Sequence, residues 1–84
     1  MRILWDDHKR LANRTKHGLE FADLSEEWFE TAVTLAARDG REKAVGWLGG
    51  LAIAVIIEPL GTETVAVVSM RRARRDEREL LDDP

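Results

Sequence analysis

Four arginines fall within five residues, Arg71, Arg72, Arg74 and Arg75, in the stretch Ser69-Met70-Arg71-Arg72-Ala73-Arg74-Arg75-Asp76-Glu77-Arg78. They sit where an apolar, strand-like run gives way to a helix-forming one. A helix N-terminus carries about half a positive elementary charge, so each cation placed there is disfavoured by about 0.3–1 kcal/mol. Asp76 and Glu79 follow Arg72 and Arg75 at i, i+4, but with the basic residue first, the weaker orientation of a pair contributing about 0.2–0.5 kcal/mol. Internal pairing therefore offsets only part of the conflict. A phosphate would resolve it, because helix-start amides and guanidinium forks both match phosphate oxygens. The other reading is a solvated helix that is rich in arginine.

A second cationic feature lies near the N-terminus. Lys9, Asn13 and Lys16 are spaced i, i+4, i+7, which places them on one face of a helix, and His17 borders that stripe. Such a ridge can grip phosphates, or it can be a solvated face whose basic end suits the helix C-terminal dipole. His8 and His17 are nine residues apart and lie on opposite faces at about 100° per residue, so they cannot share an ion. The chain has no cysteine, and its acidic pairs lack calcium-loop or zinc spacing. Neither a metal site nor a cofactor is expected. No glycine-rich phosphate loop is present, and neither Ser25 nor Ser69 stands in a nucleophile-elbow motif.

The elements that must position these residues follow from periodicity and punctuation. Arg2 to Trp5 reads as a short strand, Asp6 or Asp7 as the cap of a helix running to about His17, and Gly18 as its stop. A second helix is expected from about Ala22 to Glu30, with Phe21, Leu24, Trp28 and Phe29 forming an apolar stripe. Strands are expected at Val33 to Ala37, Glu42 to Leu48, Leu51 to Ile57 and Val65 to Met70, with a tight hairpin at Gly49-Gly50. The run Leu51 to Ile57 lacks polar alternation and reads as a central strand covered on both faces. A last helix is expected from about Ala73 to Leu81. The order predicts an α+β fold: an antiparallel sheet of about four strands, two N-terminal helices and a C-terminal helix, with helices on one face of the sheet. Trp5 and Trp28 read as core; Trp47, beside the glycine turn, reads either as edge packing or as an exposed stacking surface.

With 84 residues, 35% of them charged, the chain reads as a single domain spanning residues 1–84 with a densely ionic surface. The net charge of −3 conceals an N-terminal block, residues 1–17, of +3 and a following block, residues 18–40, of −5. A protein that coats nucleic acid indiscriminately would be basic throughout. This one offers local basic patches on an acidic body. The longest apolar stretch, Leu48 to Ile57, is too short to cross a bilayer, and a cytoplasmic location without membrane association is expected.

Three motifs, in order, carry a resemblance to a known family. Trp5-Asp6, Lys9, Asn13 and Lys16-His17-Gly18 followed by Phe21 form the first. Arg41, five residues before Gly46, is the second, and Val68-Ser69-Met70-Arg71-Arg72-Ala73 leading to Glu77-Arg78 is the third. Together they resemble the BrnT-type toxins of bacterial type II toxin–antitoxin modules, small ribonucleases with a RelE-like fold. The chain departs from the family pattern at Met70, where alanine is usual, at Ala66, where a basic residue is frequent, and at Trp47, where arginine or lysine often follows the glycine.

The resemblance implies an endoribonuclease toxin that halts translation by cleaving an RNA substrate. It also implies a cognate ribbon-helix-helix antitoxin of the BrnA type, assembling with the toxin as a heterotetramer. Cleaving RNA without a metal requires a group that takes the 2′-OH proton, cations for the charge on five-coordinate phosphorus, and a proton for the 5′ oxygen. Arg71 and Arg41 are candidates for stabilising that charge, and His17 or Glu77 for proton transfer. Lys9, Asn13, Lys16, Arg72 and Arg75 are candidates for binding the RNA strand. The acidic second helix is a candidate surface for a basic antitoxin segment. The alternative is a non-catalytic module of the same fold that binds RNA or antitoxin.

Overall fold

The computed structural model describes residues 1–83; Pro84, the last residue of the expected domain, lies outside them. Strand β1, Arg2–Leu4, leads into helix α1, Asp7–His17. Asp6 opens α1 by accepting hydrogen bonds from the amides of His8 at 2.7 Å and Lys9 at 3.3 Å. Gly18, in the left-handed conformation at φ 71°, closes it by donating to the Arg14 carbonyl.

The second helix is shorter than its apolar stripe predicts. Phe21–Asp23 form one tight turn, Leu24 is extended, and α2 spans Glu26–Thr31. Ser25 is the reason: its hydroxyl accepts the Trp28 amide at 3.1 Å and restarts the helix. Phe21 and Leu24 from the turn and Trp28 and Phe29 from α2 then enter one core.

The remaining strands are β2 (Val33–Ala36), β3 (Glu42–Leu48), β4 (Leu51–Pro59) and β5 (Thr64–Arg72). The sheet has five strands in the order β1-β5-β4-β3-β2, so the expectation of about four antiparallel strands is corrected. β1 joins as a parallel edge strand, with Arg2 opposite Thr64 and Leu4 opposite Ala66. The other neighbours are antiparallel. β4 is central, as its unbroken apolar run predicts, with Ala52, Ile53, Ala54, Val55 and Ile57 all buried.

The two faces of the sheet differ. Ala44, Ile53, Val55, Ile57, Val65, Val67 and Met70 meet the aromatic core. At Gly46 the sheet approaches the Trp28 ring closely, and a Cβ there would stand 3.1 Å from it. The opposite face carries the cross-strand rows Lys43–Ile56–Ser69 and Val45–Ala54–Arg71. A single turn of helix, α3 (Arg75–Arg78), crosses this second face in place of the expected helix from Ala73 to Leu81. Helical cover is therefore not confined to one face.

Candidate active site

β5 continues two residues beyond Met70, and this decides where the arginines go. Arg71 and Arg72 belong to the strand, Arg74 is the N-cap of α3, and Arg75 is its first residue. Alternation along β5 turns Met70 into the core and Arg71 to the opposite face. There the Arg71 guanidinium makes a two-pronged contact with Glu77, Nη1 to Oε1 at 2.7 Å and Nη2 to Oε2 at 2.9 Å. Glu77 Oε1 also accepts the Arg74 amide at 2.8 Å, the returning half of a capping box. Lys43 Nζ lies 2.8 Å from Oε2. The anion that Arg71 requires is thus supplied within the chain.

Glu77 is 1% exposed. The Arg71 fork foremost, with the Arg74 amide and Lys43 adding to it, holds its carboxyl well below the usual carboxylate range despite the opposing effect of burial. The same contact raises the Arg71 guanidinium. Both Glu77 oxygens are thus engaged by cations and an amide, an environment that favours its charged form over accepting a further proton.

Around Arg71 opens a cleft of about 540 Å³ lined by Arg38, Asp39, Arg41, Lys43, Ile56, Arg71 and Arg74, with Ala36 and Ala37 at its edge. The turn Arg38–Gly40 brings Arg38 and Arg41 to it from between β2 and β3, with Asp39 at φ 58° and Gly40 at φ 75°. Arg41 and Arg71, separate motifs in the sequence, therefore share one wall. Arg72 and Arg75 do not line the cleft. Arg72 lines a groove with Trp47, Gly50 and Ala52, and Arg75 lines the adjoining one with Trp47 and Arg78. Trp47 is half-buried: its indole N–H donates to the Asp82 carbonyl at 2.8 Å, and the Arg78 guanidinium stands 5.9 Å from its ring centre.

The α1 ridge lies along the edge of β5. Lys9, Lys16 and His17 surround a hollow of about 230 Å³ with Ala12, Asn13, Val68 and Ser69. Ser69 is the cross-strand partner of Ile56, which lines the cationic cleft, so the hollow and the cleft are neighbours on one face. Lys43 on β3 and Ser69 on β5 are two strand spacings apart, about 10 Å. Asn13 is engaged by the sheet: its side-chain N–H donates to the Met70 carbonyl at 2.9 Å and its side-chain oxygen accepts the Met70 amide at 3.0 Å. It is 7% exposed, and its hydrogen-bonding atoms are turned to the sheet rather than to solvent.

Sequence reasoning missed Lys43 and Arg38, and took Arg74 only as part of the arginine run. Lys43 alternates with Val45 and Trp47 along β3, which is the signal that could have placed it on the second face. Arg74 precedes Glu77 by three residues, the spacing at which an N3 carboxylate returns to its cap. Among the described residues no group of three His, Asp or Glu side chains is placed to hold a metal ion.

Residues 5–77 match the family model described as the ribonuclease toxin, BrnT, of type II toxin-antitoxin systems. The chain belongs to the BrnT family. In structure it is similar to the ribonuclease toxin BrnT of Brucella abortus, with 45% sequence identity, a TM-score of 0.83, and coverage of 89% of this chain and 99% of that one. A comparison with curated proteins yields no match. Membership of the BrnT family makes RNA the target and an antitoxin the partner. The three motifs that carried the resemblance fall, in this BrnT fold, on α1, on β3 with the turn before it, and on β5 with α3. No helix among the described residues is long and apolar enough to cross a membrane.

Proposed function

We propose that residues 1–84 form one toxin domain that cleaves RNA internally, without a metal ion, at the cationic cleft, and that it acts in the cytoplasm to halt translation. The observation that carries this reading is the gathering of Arg38, Arg41, Lys43, Arg71 and Arg74 around one cleft in a chain of net charge −3. Attack of a ribose 2′ oxygen forms a bond to phosphorus and breaks the bond to the 5′ oxygen. Arg71 and Arg41 stabilise the charge that builds on the phosphoryl oxygens.

His17 takes the 2′-OH proton, histidine being the side chain that exchanges protons near neutral pH. The departing 5′ oxygen takes its proton from solvent at the open cleft, leaving a 2′,3′-cyclic phosphate and a 5′-OH. Lys9 and Lys16 grip a neighbouring phosphate of the same strand. The adjacency of the α1 hollow to the cleft through Ser69 and Ile56 supports this shared path.

The antitoxin in this reading is a ribbon-helix-helix protein of the BrnA type, held in a heterotetramer. Glu26, Glu27 and Glu30 are exposed on α2 and offer its basic segment a complementary surface. Charge reversal at Glu27 and Glu30 that left antitoxin affinity unchanged would remove this part of the reading.

The test is cleavage of a heteropolymeric transcript by the purified chain with and without EDTA. Cleavage unchanged by EDTA, abolished by Arg71→Ala and largely lost in Arg71→Lys is expected, since lysine keeps the charge but not the fork. Binding without cleavage would instead favour a non-catalytic module of the same fold.

A further inference from the structure

We propose that Lys43 is a third cation at the reacting phosphate, and that Glu77 is the positioning residue that holds Lys43 and Arg71 as one preorganised clamp. The inference rests on the cleavage reading above and names two residues to which that reading gives no role in the reaction.

Glu77 bridges the sheet. It reaches Lys43 on β3 and Arg71 on β5, across the central strand β4, where Ala54 is the partner of Arg71 and Ile56 that of Lys43. The small side chain at Ala54 leaves room for the carboxylate above the strand. Each oxygen accepts two donors: Oε1 takes Arg71 Nη1 and the Arg74 amide, and Oε2 takes Arg71 Nη2 and Lys43 Nζ. With its acceptor sites engaged, the carboxylate has no free lone pair with which to approach substrate.

The two cations are differently placed. Their side chains are 24% exposed at Lys43 and 20% at Arg71, against 2% at Glu77, and both line the cleft while Glu77 does not. Two positive charges against one negative leave the wall of the cleft net positive. Lys43 spends one of its three N–H groups on Glu77 and keeps two. Ile56, which stands between Lys43 and Ser69 in the same cross-strand row, makes the floor apolar and strengthens the field of the cations above it. Cations already fixed in place stabilise a developing charge without reorganising at the moment of reaction. If the trio served stability alone, its loss would appear in unfolding and leave the chemical step untouched. Buried ion pairs are weak stabilisers against apolar replacements, which makes a purely structural role a poor account of it.

The experiment separates the two roles through the split between rate and affinity. Single-turnover cleavage of the transcript at saturating protein reports the chemical step, and affinity for the all-2′-deoxy strand of the same sequence, which cannot be cleaved, reports binding. Lys43→Met is expected to lower the saturated rate by about 10- to 100-fold, less than loss of a dedicated oxyanion donor because Arg71 remains. Affinity for the deoxy strand should change less than about threefold, as expected for loss of one of several phosphate contacts. Lys43→Arg, which restores the charge, should regain most of the rate.

Glu77→Gln should lower the saturated rate with affinity similarly preserved, and its effect should be smaller in the Lys43→Met background, because a positioning residue acts through the groups it holds. A saturated rate in Lys43→Met equal to that of the unaltered chain, a rate loss that merely follows an affinity loss, or independent effects of the two substitutions would overturn the proposal. If Glu77→Gln does not fold, the Lys43 variants decide alone. Failure of the unaltered chain to cleave would refute the cleavage reading itself, a distinguishable result.

Discussion

Asn13 and Met70, 57 positions apart in the chain, close a reciprocal pair of hydrogen bonds in which one side-chain amide satisfies both backbone groups of a residue in β5. β1 ends at Leu4, opposite Ala66, so it does not reach this part of β5. Asn13 stands in for the missing strand and docks α1 at the same time.

Asn13→Ala leaves two buried backbone groups without partners and is expected to destabilise the fold by about 2–3 kcal/mol. Asn13→Asp keeps the acceptor but turns an oxygen toward the Met70 carbonyl, so it should do no better. Urea unfolding checks both: the midpoint should fall with the slope unchanged.

Gly46→Ala drives a methyl to 3.1 Å from the Trp28 ring. Overpacking of this kind costs about 1–3 kcal/mol. The loss should shrink when Trp28→Leu is added, because the two positions touch. A loss of stability in the double variant equal to the sum of the two single losses would contradict the close contact.

Acid should loosen the second face of the sheet. The folded state holds the Glu77 carboxyl far below its ordinary value of 4.5, so its stabilising contribution is complete above about pH 4.5 and is lost as pH falls toward the depressed value. Glu20, pulled down to about 2 chiefly by the Arg10 fork, adds to the same acid limb. Melting temperature measured from pH 7 to pH 2 should decline below 4.5, and Glu77→Gln should flatten that decline.

Ending the chain at Leu81 removes the Asp82 carbonyl that accepts the Trp47 indole N–H. The expected cost is about 0.5–1.5 kcal/mol, the worth of one partly exposed hydrogen bond. Fluorescence should shift to longer wavelength as the ring gains water. No shift would mean that the tail leaves Trp47 as it was.

Local chemistry made much of this fold legible. Asp6 and Gly18 bound α1 as their side-chain types predict, and Gly49-Gly50 closes the hairpin between β3 and β4, with Leu48 opposite Leu51. The parallel pairing of Arg2 with Thr64 was not legible, because turn and hairpin signals report only neighbours in sequence. The split of the second helix was hidden behind a continuous apolar stripe that the turn and α2 share.

The site divides the same way. Arg41 and Arg71 could be named from their motifs, and the cleft contains both. A strand that stops at Met70, as the sequence predicts, leaves the arginine run demanding an outside anion. Two more residues of β5 place Arg71 on the sheet, facing Glu77, and remove part of the conflict. Alternation could place Lys43 on a face of β3, but nothing in a single strand tells which distant carboxylate will be drawn to it.

The adjacency of β1 and β5 makes the first strand wait for the last. During synthesis the sheet cannot close until β5 has left the ribosome, and Glu77, which locks the cations in place, emerges later still. The cationic cleft is thereby the last part of this ribonuclease-family fold to be assembled.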